Sequence, residues 1–175
     1  MTSDASARIH DALTTLDVEF ERRPDGTFLV TLPGERRLRT VLTISAREHA
    51  VTLTAFVARR PDERHDVVYR WLLERNRRMY AFAFCLDPLG DIYLIARLPL
   101  EALTADELDR LLGSALEYAD GAFNAILERG FASAIRREWA WREARGESTA
   151  NLAAFAHLAD GDDEQRPDAS DKMGP

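Results

Sequence analysis

Residues 72–100, LLERNRRMYAFAFCLDPLGDIYLIARLPL, constrain the fold more than any other part of this chain. They read as the end of a basic helix, an apolar strand, a tight turn at Asp87-Pro88-Leu89-Gly90, a second strand and a proline exit. A capped helix follows at once. Thr104 and Glu107 have capping-box spacing, and Leu108, Leu111, Leu112, Ala115, Ala119, Ala122, Phe123, Ile126 and Leu127 recur at helical intervals. Strands grouped between flanking helices suggest an α+β fold with helices on one sheet face. Residues 80–86 are nearly all apolar, which predicts a central strand covered on both faces.

The N-terminal half supplies the rest of the sheet. Thr2 or Ser3 can cap a first helix running to about Leu16, with Ile9, Leu13 and Leu16 on one face. Residues 18–21 read as a short strand, Pro24-Asp25-Gly26 as a turn, and residues 27–32 as a strand with Phe28, Val30 and Leu32 on one face. Two β-branched runs follow, residues 37–45 and 50–58, joined by Ala46-Arg47-Glu48-His49. Pro61-Asp62 opens a second helix toward Met79, whose last turns hold Arg75, Arg77 and Arg78, suited to the negative end of the helix dipole or to an acidic contact. The long helix ends near Gly130, a shorter one carries Trp139 and Trp141, and residues 151–158 allow a last turn or two. The expected order is α-β-β-β-(β)-α-β-β-α, an α+β fold with an antiparallel sheet flanked by helices and a C-terminal helical extension. One domain is expected over residues 1–146, then a short helix and an acidic tail without the apolar content to fold over 147–175. The sheet face away from the helices must meet solvent or a partner.

Charge narrows the partners. The chain has 175 residues and a net charge of −7, of which residues 159–175 carry −4: Asp160, Asp162, Asp163, Glu164, Asp168 and Asp171 against Arg166 and Lys172. The weakly acidic remainder argues against nucleic acid, which needs clustered positive charge. No apolar run approaches the roughly 18 residues that cross a bilayer, so no membrane insertion is expected. The first residues lack an apolar stretch of secretory type. Cys85 is the single cysteine, which excludes an internal disulfide and makes a reducing cytoplasm the expected compartment.

No residue speaks for catalysis. His10, His49, His65 and His157 are too widely spaced for one helix to hold a metal. Ser114 sits mid-helix without the second glycine of a nucleophile elbow. Cys85 lies in an apolar strand, where a thiol behaves as a small hydrophobe. Asp87 and Asp91 bracket a turn, and Glu101, Asp106 and Glu107 begin a helix; local capping accounts for all five. We therefore expect no enzyme, metal or cofactor. Trp139 and Trp141 are two residues apart on a helix and point roughly 200° apart, so one can pack inward while the other meets a partner or second subunit, unless both are buried by the extension.

The sequence Leu72-Leu73-Glu74-Arg75-Asn76, the turn Leu86-Asp87-Pro88-Leu89-Gly90-Asp91 and the exit Arg97-Leu98-Pro99-Leu100 resemble the YbjN-like domain, and through it the bacterial type III secretion chaperones. Asn76-Arg77-Arg78-Met79-Tyr80 and the Arg-Glu-Trp segment at Trp139 resemble its actinobacterial branch. The resemblance implies a small cytoplasmic homodimer without a catalytic site that holds a protein or peptide client on apolar surface. Leu13, Leu16, Phe28, Val30 and Leu32 are the candidate peptide-binding residues, although a plain core would use the same side chains. The function this implies is a non-enzymatic chaperone or adaptor. A regulatory protein-interaction module is the alternative, and an enzyme or small-ligand domain comes last.

Overall fold

Alternation of apolar and polar residues divides every strand between a helix-covered face and an open one. The computed structural model describes residues 2–47 and 49–159. In chain order the elements are α1 (Thr2–Thr15), β1 (Phe20–Arg22), β2 (Phe28–Pro33), β3 (Arg39–Arg47), β4 (Ala50–Ala58), α2 (His65–Asn76), β5 (Phe82–Leu86), β6 (Ile92–Pro99), α3 (Ala105–Gly130) and α4 (Ala132–Arg145). A 3-10 segment (Ala150–Phe155) then leads into the short α5 (Ala156–Ala159). The strands form one six-stranded sheet in the order β1-β2-β3-β4-β6-β5, antiparallel at every junction. This is the α+β arrangement expected, with the fourth N-terminal strand present.

The core lies between the inner sheet face and the helices. Phe28, Val30, Leu42, Ile44, Leu53, Ile92 and Leu94 are fully buried there against Ile9 and Leu13 of α1, Val68 of α2, and Leu108, Leu111, Ala115, Ala119 and Ile126 of α3. Each large side chain removed from water contributes about 1.5–3 kcal/mol, so this layer dominates the stability of the fold. Phe155 and Leu158 join the same cluster and tie the segment beyond Gly146 to the body through α4. On the outer face the register sets Leu29, Thr43, Thr54, Ile95 and Ala83 in one row, and Ser45, Thr52 and Arg97 in another. Phe56 and Tyr93 are opposite neighbours in edge-to-face contact at 5.4 Å.

Three expectations change. The apolar strand β5 is an edge strand, because β6 returns to pair with β4 and leaves β5 outermost. Its outer-face side chains, Ala83 and Cys85, are small and only half-buried. The second helix begins at His65 and not at Pro61, after Arg64 in the left-handed region (φ 49), and ends at Asn76. Arg77 and Arg78 therefore lie past its end. The cap expected at Thr2 or Ser3 and the acidic residues from Asp160 onward lie outside the side chains described. Thr104 caps α3 as predicted, its hydroxyl accepting from the Glu107 N–H at 3.1 Å. The Glu107 carboxylate is turned elsewhere, accepting from the Tyr80 hydroxyl at 2.7 Å and from Arg110 at 3.1 Å.

Candidate functional site

The most distinctive surface is built by a carboxylate that holds a loop. Asp120 on α3 is one of two buried polar residues among those described. Its Oδ1 accepts from the backbone N–H groups of Arg36 (2.9 Å) and Arg37 (2.8 Å), fixing the β2–β3 connection. Gly34 makes this approach possible, since a Cβ there would fall 2.5 Å from the same Oδ1. With the backbone held, the Arg37 guanidinium lies 5.5 Å from the Phe56 ring and 5.8 Å from the Phe123 ring and donates to the Phe56 carbonyl. Burial draws the pKa of Arg37 down while nearby Asp120 pulls it up, and arginine stays charged at any working pH.

Around Arg37 a shallow trough opens in two adjoining parts of about 530 and 600 Å³ that share Arg37, Phe56 and Phe123. The first part adds Leu38 and Val41 together with Arg36 and Arg39. The second runs over Leu127, Phe131, Ile135 and Leu152 toward Arg59 and Glu138. Leu38 is 89% exposed, and Val41 and Phe56 are exposed beside it. Arg59 lies 4.4 Å over the Phe131 ring and pairs with Asp62 at 2.5 Å, which raises its own pKa and lowers that of Asp62. Apolar floor and arginine rim together suit an extended protein segment whose apolar side chains are flanked by acids. The trough's lining holds no nucleophile or paired acid and base of the kind that catalysis uses.

Of the sequence-predicted binding residues, Leu13, Phe28 and Val30 are 0% exposed, and this corrects the expectation that they offer surface to a peptide. Leu13 on α1 and Phe28 and Val30 on β2 belong to one buried cluster in the inner layer, the plain-core use of the same pattern. Leu16 and Leu32 are half-buried and packed against that core. Trp139 is half-buried, with its Nε1 donating to Glu143 at 2.9 Å. Trp141 is exposed on α4 beneath the Arg145 guanidinium, 4.8 Å from its ring centroid. Cys85 sits half-buried on β5, and burial pushes its thiol pKa up, away from reactive thiolate character. Among the described residues no group of three or more His, Cys, Asp or Glu could hold a metal ion, and no helix is long and apolar enough to cross a membrane.

Sequence reasoning missed the trough. The one local signal was Phe56, a large aromatic at an outer-face position of β4 where Thr52 and Thr54 precede it.

The chain belongs to the YbjN family, whose model, described as "Putative bacterial sensory transduction regulator", matches residues 5–128. It is 53% identical over 154 residues to the uncharacterized protein ML2442 of Mycobacterium leprae, covering 87% of this chain and 83% of that one. It is 51% identical over 155 residues to the uncharacterized protein Rv0487 of Mycobacterium tuberculosis, covering 86% and 85%. Among solved structures the fold resembles the ExsC-ExsE complex, with a TM-score of 0.53 at 17% identity, covering 72% of this chain and 96% of the other. It also resembles the Yersinia pestis type III secretion chaperone SycH in complex with a stable fragment of YscM2, with a TM-score of 0.50 at 16% identity, covering 66% and 96%. These likenesses establish the type III secretion chaperone fold.

Proposed function

We propose that this YbjN-family chain is a non-enzymatic binding protein that holds a segment of another protein in the Arg37–Phe56–Phe123 trough, acting in the bacterial cytoplasm as a chaperone or adaptor. The observation that carries this reading is the trough itself: exposed apolar side chains beside an arginine that a buried carboxylate holds in place. Side chains fixed before binding lose less conformational entropy on association. Two supports come from outside the chain. SycH, which shares the fold, was captured with a fragment of a protein partner, and the ExsC-ExsE structure is likewise a complex. The reducing compartment rests on the lone Cys85. We further propose a homodimer, supported by the outer sheet face that no helix covers, with half-buried Tyr93 and Ile95.

The test is affinity capture of the tagged full-length chain from its native host, alongside Phe56→Asp and Arg37→Glu, with mass spectrometry and light scattering. A single protein recovered at fixed stoichiometry by the parent, and lost from both variants at unchanged thermal stability, is the expected result. Equal recovery by all three would remove the trough from the function. The family description favours a second reading, a regulator that engages a folded partner. Hydrogen exchange on the captured complex separates the two: protection confined to one short partner segment supports the chaperone reading, and protection across a folded surface supports the regulator.

A further inference from the structure

A second cleft, of about 540 Å³, opens at the C-terminal end of α2, and its chemistry differs from that of the trough. Trp71 forms one wall, and two guanidinium groups lie over its ring: Arg75 at 4.8 Å and Arg129 of α3 at 4.9 Å. Arg77 and Arg78 line the cleft just beyond the helix end, with Met79 and Tyr118; Glu74 and Glu117 are the acids on its wall. The Nε of Arg75 is buried and has no hydrogen-bond partner. Among the described residues no carboxylate pairs with Arg75, Arg77 or Arg78. Helix-dipole matching accounts for positive charge here, but it neither satisfies the buried Nε nor requires two further arginines past the helix end. An aromatic wall flanked by unpaired guanidinium groups is a site for carboxylates on an extended peptide.

The chain contains such a peptide. Asp160, Asp162, Asp163, Glu164, Asp168 and Asp171 follow directly on α5, which ends at Ala159. The point of departure lies beside the C-terminal end of α3: in α5, His157 Nε2 lies 3.6 Å from Glu128 Oε1, one residue before Arg129, whose guanidinium lies over Trp71. Residues 160–171 span up to about 40 Å when extended, ample to cross the end of α3 and enter the cleft. Tethering holds their carboxylates at an effective concentration of about millimolar, so weak individual pairs suffice.

We propose that the acidic segment 160–171 docks in cis on the Trp71–Arg75–Arg77–Arg78 cleft, its carboxylates pairing with these guanidinium groups and covering Trp71. The cleft is then a binding site for aspartate-rich peptide, and the chain's own tail is its resident ligand. This inference is independent of the trough and of the client reading.

The experiment uses the full-length chain with Trp139→Phe and Trp141→Phe, so that Trp71 alone reports on acrylamide quenching. Neutralising the tail (D160N, D162N, D163N, E164Q, D168N and D171N together) should raise the quenching constant about two-fold at low salt. Roughly 1 M salt shrinks the Debye length to about 3 Å, and should raise the parent to the same value while leaving the neutralised chain unchanged. Arg77→Ala with Arg78→Ala should reproduce the neutralised behaviour. Equal constants with and without tail acids would overturn the proposal, as would a salt response that survives neutralisation, which marks an adventitious anion. Protection that grows with protein concentration would also overturn it, placing the tail of a second copy in the cleft. A second measurement needs no tryptophan change: in nitrogen-15 spectra of the chain with all three tryptophans, the Arg75 Nε–H and Trp71 indole signals should shift when the tail acids are neutralised. Unmoved signals would refute docking.

Discussion

The side-chain amide of Asn76 stands in for a strand that is absent. Its Nδ2 donates to the Phe84 carbonyl at 3.2 Å, and its Oδ1 accepts from the Phe84 N–H at 2.8 Å. Both backbone groups belong to the unpaired side of β5, where an open edge would invite another chain. Asn76→Ala removes both bonds and leaves two half-buried backbone groups without partners. We expect a loss of about 1–3 kcal/mol, read as a lower urea midpoint at an unchanged denaturant slope. Asn76→Asp retains the acceptor and should lose less. Equal midpoints for all three proteins would mean that water satisfies the edge as well as the amide does. The residue was visible in the sequence as part of Leu72-Leu73-Glu74-Arg75-Asn76, but its task was not, because that depends on β6 inserting between β4 and β5. Thr104 was fully legible, since an N-cap and its target lie three residues apart.

At the scale of elements, the same contrast separates what lies close in sequence from what lies far. Strand alternation, turn residues and the helical stripe of α3 act over a few residues, and each was readable. The sheet order was not: a continuous apolar run reads as central, yet β5 earns its apolar character from Phe82 and Phe84 beneath α2, with small Ala83 and Cys85 on the other side. Helix α4 shows a longer-range dependence. Its own N-cap, Phe131, supplies no side-chain bond, and Glu63 reaches it from before α2. The Glu63 carboxylate accepts from the Ser133 N–H and from the Ser133 hydroxyl, each at 2.7 Å. Losing a cap of this kind costs about 0.5–2 kcal/mol. Glu63→Gln keeps one acceptor oxygen and removes the charge, so a loss within that range is expected together with faster amide exchange at the start of α4. Exchange unchanged in α4 would show that Phe131 and Ile135 hold the helix without the cap.

Across the whole molecule, several of the groups that bind the elements to one another are carboxylates, while the core is apolar. The trough escaped sequence reasoning for a related reason: Arg37, Phe56 and Phe123 come from three separate stretches and meet only after the sheet and α3 have assembled. Connections of this kind make stability depend on acid. The Thr27 N–H lowers the pKa of Asp25, the Arg59 side chain lowers that of Asp62, and the Ser133 N–H lowers that of Glu63. A folded pKa below the unfolded value means that the unfolded chain binds more protons in the intervening range. The contribution is therefore complete above the unfolded carboxylate range of about 4, and is lost as pH falls through the lower folded values. These sites are largely exposed, so each effect is small and screened by salt. We expect urea midpoints that are level from about pH 8 to 5 and fall below about pH 4, with a shallower fall in a chain carrying Asp62→Asn and Glu63→Gln. Because both groups anchor the stretch between β4 and α2, the double variant should already be weaker at pH 7 and approach the parent at pH 3. Parallel curves offset by a constant amount would assign the acid sensitivity to other carboxylates, leaving Asp62 and Glu63 as neutral struts.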